Sequence, residues 1–156
     1  MRNTIVPAPR GEPLPIGVLV VRLAKPSLLA GETPQANPLH FELSSDDKAS
    51  GLQSLSVWVI DVTPPTVARS FMGEKRNEYR LALHLNVNDI RAINLQPEAP
   101  NPPLDVVWDP IDMPQAEGHA GIIGLIKPNG APKAVYKAIR AKLARIATVE
   151  LLPEII

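Results

Sequence analysis

Cysteine is absent from the chain. That absence removes disulfide frameworks, thiolate zinc sites and cysteine nucleophiles together, and it fits a reducing compartment. Aromatic residues are scarce, with two Trp, two Tyr and two Phe, too few for a base-stacking surface. Net charge is missing as well, because sixteen basic residues balance sixteen acidic ones. Nothing global therefore draws the chain to nucleic acid or to an anionic membrane. Long apolar runs are also lacking. The run at residues 16–21 is far too short to span a bilayer, and the opening MRNTIVPAPRGEPLP is broken by prolines and has no signal-peptide core. The expectation is a cytoplasmic protein with no membrane association.

What is plentiful is proline, 18 of 156 residues, roughly twice the average usage. Proline fixes φ and removes a donor, so it belongs in loops and at element ends. Its scattered clusters predict short elements joined by stiff connections. The length suits one domain with one core. Residues 1–15 read as an extended proline-rich arm, and residues 16–156 as a single domain.

Along that domain, residues 16–24 (IGVLVVRLA) read as a strand buried on both faces, with Arg22 its sole charge. HFELS at 40–44 alternates like a short strand. LQSLSVWVIDV at 52–62 is a strong strand, with Leu55, Val57 and Val59 on one face and Ser56, Trp58 and Ile60 on the other. Thr63-Pro64-Pro65 signals a helix start with Thr63 as cap, and a short helix follows over 66–72. YRLALHLNV at 79–87 alternates as a half-exposed strand. Asn88 or Asp89 is expected to cap a helical turn through Ile93. LDVVWD at 104–109 and HAGIIGLI at 119–126 complete the strands.

Residues 131–148 carry the clearest helical period. Val135, Ile139, Leu143 and Ile146 share one stripe, with Tyr136 beside them. The expected class is α+β: a mainly antiparallel or mixed β-sheet with a short middle helix and a long C-terminal helix packed on one face. The apolar stretch 149–156 needs cover from the domain or another chain.

The candidate chemistry is thin. His40, His84 and His119 form no HxH, HxxxH or HExxH pattern, and no metal or cofactor is expected. His119 lies in EGHAGIIGL, where Gly118, Gly121 and Gly124 would admit a ligand or a neighbouring backbone, and an imidazole there suits a base near neutral pH. The bland alternative is a glycine bulge against the long helix. Ser44, Ser45 and Ser56 lack the GxSxG context of a nucleophile elbow. Asp46-Asp47 and Asp109 with Asp112 are carboxylate pairs in expected turns. Lys133, Lys137 and Arg140 share a face of the last helix, flanked by Lys142 and Arg145. They are the candidate contacts for an anion or an acidic partner.

The order of VPAPRGEPLP, VVRLAKPS, FELSS, LSVW with Thr63, and HAGIIGL resembles a set of small uncharacterised bacterial proteins. That resemblance implies a bacterial chain and transfers no catalytic residue. A second resemblance is to ADP-ribosyltransferase-like folds, which place Arg or His on an early strand, serine on the next and Glu or a similar group late. It maps onto Arg22, Ser44 with Ser45, and Glu117 or His119, although the aromatic ligand-stacking positions of those folds are not evident. Three functional expectations follow. The leading one is a non-enzymatic accessory protein that recognises a protein partner, or its own copy, through the arm or the tail. The second is a small enzyme using His119 as base, with Glu117 and Arg22 as further catalytic candidates. The third is a nucleic-acid contact through the basic helix.

Overall fold

The computed structural model describes residues 5–26, 35–43, 53–93, 104–125 and 133–155. Among the described residues six strands are formed: β1 (Leu19–Ala24), β2 (Leu55–Val59), β3 (Leu81–Asn86), β4 (Asp105–Trp108), β5 (His119–Ile123) and β6 (Thr148–Leu151). They make one sheet in the order β4-β5-β2-β1-β3-β6, and every pairing is antiparallel. The helices are α1 (Pro65–Ser70), α2 (Val87–Arg91) and α3 (Lys133–Ile146), with 3-10 helices at Pro38–Phe41 and Gly73–Lys75. The chain is therefore α+β, with its long C-terminal helix on one side of the sheet.

Side-chain alternation divides the sheet into two unequal faces. Val20, Leu55, Val57, Val59, Leu81, Leu83, Leu85, Val106, Ala120 and Ile122 point to the larger core, where Val135, Tyr136, Ile139 and Leu143 of α3 cover them. The stripe read from sequence is thus the buried seam of α3, with Ile146 half-buried at its end. The 3-10 helix at Pro38–Phe41 packs against α3 and adds a fully buried Phe41. The opposite face is smaller and carries Val21, Leu23, Trp58, Ala82, Ala68 of α1, Ala116 and Leu152. β1, one of the two central strands, is buried on both faces from Val20 onward, with Arg22 half-buried.

Several local expectations change. Residues 40–43 do not form a strand, and Ser44 lies outside the described residues. Asn37 closes a capping box by accepting from Leu39 N–H while His40 accepts from Asn37 N–H, and Pro38 enters the first turn, so local side-chain bonding wins over alternation. Thr63 does not cap α1, whose N-cap is Pro64 without a side-chain bond. The Thr63 hydroxyl instead donates to Gln115 O at 2.8 Å and accepts from Gly118 N–H at 3.0 Å. Asn86, and not Asn88 or Asp89, caps α2 by accepting from Asn88 N–H. The tail supplies a strand: β6 pairs with β3 through Leu81↔Leu151 to His84↔Thr148.

The arm also belongs to the fold. Gly11 N–H donates to Trp108 O, Trp108 N–H to Glu12 O and Leu14 N–H to Val106 O, with a bridge at Pro13↔Val107. A proline at the bridge is acceptable because the pairing lies on a sheet edge. Leu14 is buried beside β4. Residues 11–14 therefore cover the β4 edge, which would otherwise offer unpaired backbone groups.

Candidate functional site

β5 lies between β4 and β2, and the register Trp58↔His119 and Ser56↔Gly121 sets His119 against the middle of β2. His119 is 8% exposed. A buried imidazole must satisfy both nitrogens, and the structure provides for each. Nδ1 lies 2.7 Å from the Asp109 carbonyl oxygen. A carbonyl only accepts, so Nδ1 carries the proton. In the neutral ring Nε2 then has the lone pair, and Nε2 lies 3.0 Å from Ser56 Oγ. Ser56 therefore donates its hydroxyl proton to His119.

The surroundings hold the ring in that pose. Trp58 meets it edge-on at 4.8 Å between centroids, and Phe71 stacks on the other side of Trp58 at 5.5 Å. The Asp109 carboxylate approaches Nδ1 through Oδ2 at 3.6 Å, while its Oδ1 accepts from Arg10 Nε at 2.7 Å. Asp109 is fixed by its backbone as well, since Asp109 N–H donates to His119 O at 3.1 Å. Arg10, Asp109, His119 and Ser56 thus form one connected polar series running from the arm to β2.

Gly121 of β5 and Gly118 just before it serve close approach. A Cβ on Gly121 would strike the side chain of Ser54, and one on Gly118 would lie 2.6 Å from Thr63 Oγ1. The long helix, on the other face, is not the reason for them. Their role is to let Ser54 and Thr63 lie flat against β5.

The other candidates fall in different places. Arg22 alternates onto the α3 side with Val20 and Ala24, but its guanidinium reaches through to the backbone of β2. Its Nη1 donates to Ser56 O at 3.0 Å and its Nε to His40 O at 3.2 Å. Arg22 and His119 therefore both touch Ser56, one at the carbonyl and the other at the hydroxyl. Glu117 is exposed. Ser44, Ser45 and Asp46-Asp47 lie outside the described residues.

The three histidines do not converge. His84 pairs with Glu150 at 2.8 Å on the outer strands. His40 Nε2 donates to Lys25 O at 3.1 Å while its Nδ1 accepts from Asn37 N–H at 3.2 Å. Burial pushes the His40 ring below the usual histidine pKa, the Lys25 carbonyl opposes that shift and the Arg22 charge adds to it. No group of three potential metal ligands forms among the described residues.

On α3, Lys137 and Arg145 are exposed and Arg140 and Lys142 half-exposed, while the side chain of Lys133 lies outside the described residues. Lys142 and Arg145 line a groove of about 320 Å³ against Asp89 and Ile93 of the α2 region. An acid thus stands within the basic stretch. No described helix is long and apolar enough to cross a membrane.

Ser56 and Asp109 stand in the sequence only as a serine without a nucleophile-elbow context and as one half of a carboxylate pair, and nothing there joins either to His119. Strand alternation had put Ser56 beside Trp58, but the register that brings His119 opposite is a long-range pairing with no local signal. Comparison with family models, curated proteins and solved structures finds no match to this chain.

Proposed function

We propose that the chain is a small enzyme of the serine-nucleophile kind, with Ser56 as the attacking group and His119 as its general base. The observation that carries this reading is the tautomer. The Asp109 carbonyl at 2.7 Å fixes the proton on Nδ1 and leaves Nε2 to accept from Ser56 Oγ at 3.0 Å. Nucleophile, base and orienting group in that sequence make up the working unit of hydroxyl activation. As the Ser56 Oγ–carbon bond forms at an acyl centre, the hydroxyl proton passes to Nε2. The nearby Asp109 carboxylate favours the resulting imidazolium, and that proton then leaves with the departing group. Water, deprotonated in turn by His119, releases the acyl group and restores the serine.

A fluorophosphonate probe tests this directly. The expected result is covalent labelling at Ser56, identified by peptide mass. Ser56→Ala should abolish it, His119→Ala should slow it by about 10²-fold or more, and Ser54→Ala should leave it intact. Labelling no greater than in Ser56→Ala would overturn the proposal.

A second reading, recognition of a protein partner, rests on the outer edge of β6. There Leu151 is 45% exposed on a strand that pairs only with β3 among the described residues, and Ile155, beyond the strand, is 36% exposed. A monomer in sedimentation at high concentration, with no change in the Leu151→Lys variant, would count against self-association through that edge.

A further inference from the structure

Arg69 of α1 is 1% exposed, and its Nε is buried with no hydrogen-bond partner. Its Nη2 is engaged, donating to Asn77 Oδ1 at 3.0 Å and to Pro153 O at 2.6 Å. Arg80 reaches the same segment, with Nε donating to Leu152 O at 3.0 Å. Two guanidiniums therefore sit on successive carbonyls of one extended segment, a residue apart along the chain. Arg76 precedes Asn77, whose side chain Arg69 holds, and its Nη1 makes a single bond to Gly73 O at 3.0 Å.

Among the described residues, no ion pair joins a carboxylate to Arg69, Arg76 or Arg80. The ion pairs among the described residues are Arg10–Asp109, Lys25–Glu78, His84–Glu150, Arg91–Asp105 and His119–Asp109. A buried charge without a counter-ion is unfavourable, and a buried donor without an acceptor adds to that. Burial first, then the charges of Arg80 and Arg76, hold the Arg69 guanidinium below its usual pKa. Arg76 and Arg80 are half-exposed, so the cluster has a buried floor and an open rim.

We propose that Arg69, Arg76 and Arg80 form a binding site for a phosphate-class oxyanion, free or as a small phosphomonoester, between α1 and the segment that follows β6. Guanidinium donors match the oxygens of phosphate in number and geometry. The bound anion would accept from the rim arginines, Arg76 and Arg80, and would offset the charge of Arg69 buried beneath them. The site shares no side chain with the Ser56–His119 pair and does not depend on the catalytic reading.

The test is calorimetric titration of the full chain with inorganic phosphate and, in a second arm, with glycerol phosphate, at ionic strength held constant with chloride. Saturable binding is expected, with a melting temperature that rises and then levels off. Tighter binding of glycerol phosphate assigns the ester, and equal binding assigns the free ion. The Arg76→Gln/Arg80→Gln variant should bind at least 10-fold more weakly. Arg76→Gln alone, which loses only the Gly73 contact, should show an intermediate loss should the double variant not fold. Ser56→Ala should bind as the unaltered chain does. A melting temperature that climbs without saturation, as salts excluded from protein surfaces produce, or an unchanged response in the arginine variants, would overturn the site.

Discussion

Ser56 on β2 and His119 on β5 are joined side chain to side chain at 3.0 Å, although 63 residues separate them in sequence. The contact exists because β5 runs antiparallel to β2 with Trp58 opposite His119. One consequence concerns stability alone. Ser56→Ala removes the Ser56 hydroxyl donor from a buried ring nitrogen, at a cost of about 1–3 kcal/mol. Urea unfolding should show that loss, with an unchanged slope.

Gly121 gives a sharper test of the same strand pair. A methyl group there collides with the Ser54 side chain, in a sheet whose other side is filled by Ala120 and Ile122. Gly121→Ala is expected to destabilise the fold by about 1–3 kcal/mol, as overpacking does. Removing the obstacle in a Ser54→Gly/Gly121→Ala variant should return part of that loss. A double-mutant cycle reads the coupling, and strictly additive effects would contradict the close approach.

Much of this architecture is legible in the sequence where the period is strong. The apolar alternation of Leu55, Val57 and Val59 and the helical stripe of Val135, Ile139 and Leu143 both mark one buried side, and both sides face the same core. Legibility fails where local hydrogen bonds compete with periodicity, as at Asn37 and His40, whose capping box turns an alternating segment into a 3-10 helix. It fails again where strands choose partners. His119 stands out by its glycine-rich context, but nothing near Ser56 or Asp109 announces that the three residues meet. Arg69 is invisible for the same reason, because Asn77 is near in sequence but Pro153 is reached only after β6 returns along β3.

Leu143 tests the seam on which the two-layer arrangement depends. It is fully buried under the sheet. Leu143→Ala should cost about 2–5 kcal/mol through lost burial and the cavity left behind. Lys137→Ala, on the exposed side of the same helix, should stay within about 0.5 kcal/mol. Thermal unfolding of the two variants under one buffer separates a packed seam from a solvated one.

His40 sets a pH dependence whose direction follows from its environment. The folded ring is held neutral, with Nδ1 accepting from Asn37 and Nε2 donating to Lys25. Burial is the largest cause of its lowered pKa, the Lys25 carbonyl opposes it, and the Arg22 charge reinforces it. In the unfolded chain the ring takes up a proton at about pH 6.5. Below that pH the unfolded state therefore binds more protons than the folded state, and stability falls. The fall stops once the pH has dropped below the folded value, where both states are protonated. Above about pH 6.5 neither ring is charged and the contribution is complete. Urea midpoints measured between about pH 7.5 and 5 should decline on the acid side. The decline should be shallower in His40→Gln, which still offers a polar side chain at that position but has no proton to gain. An equal acid slope in the two proteins would place the titration elsewhere and remove His40 from the account.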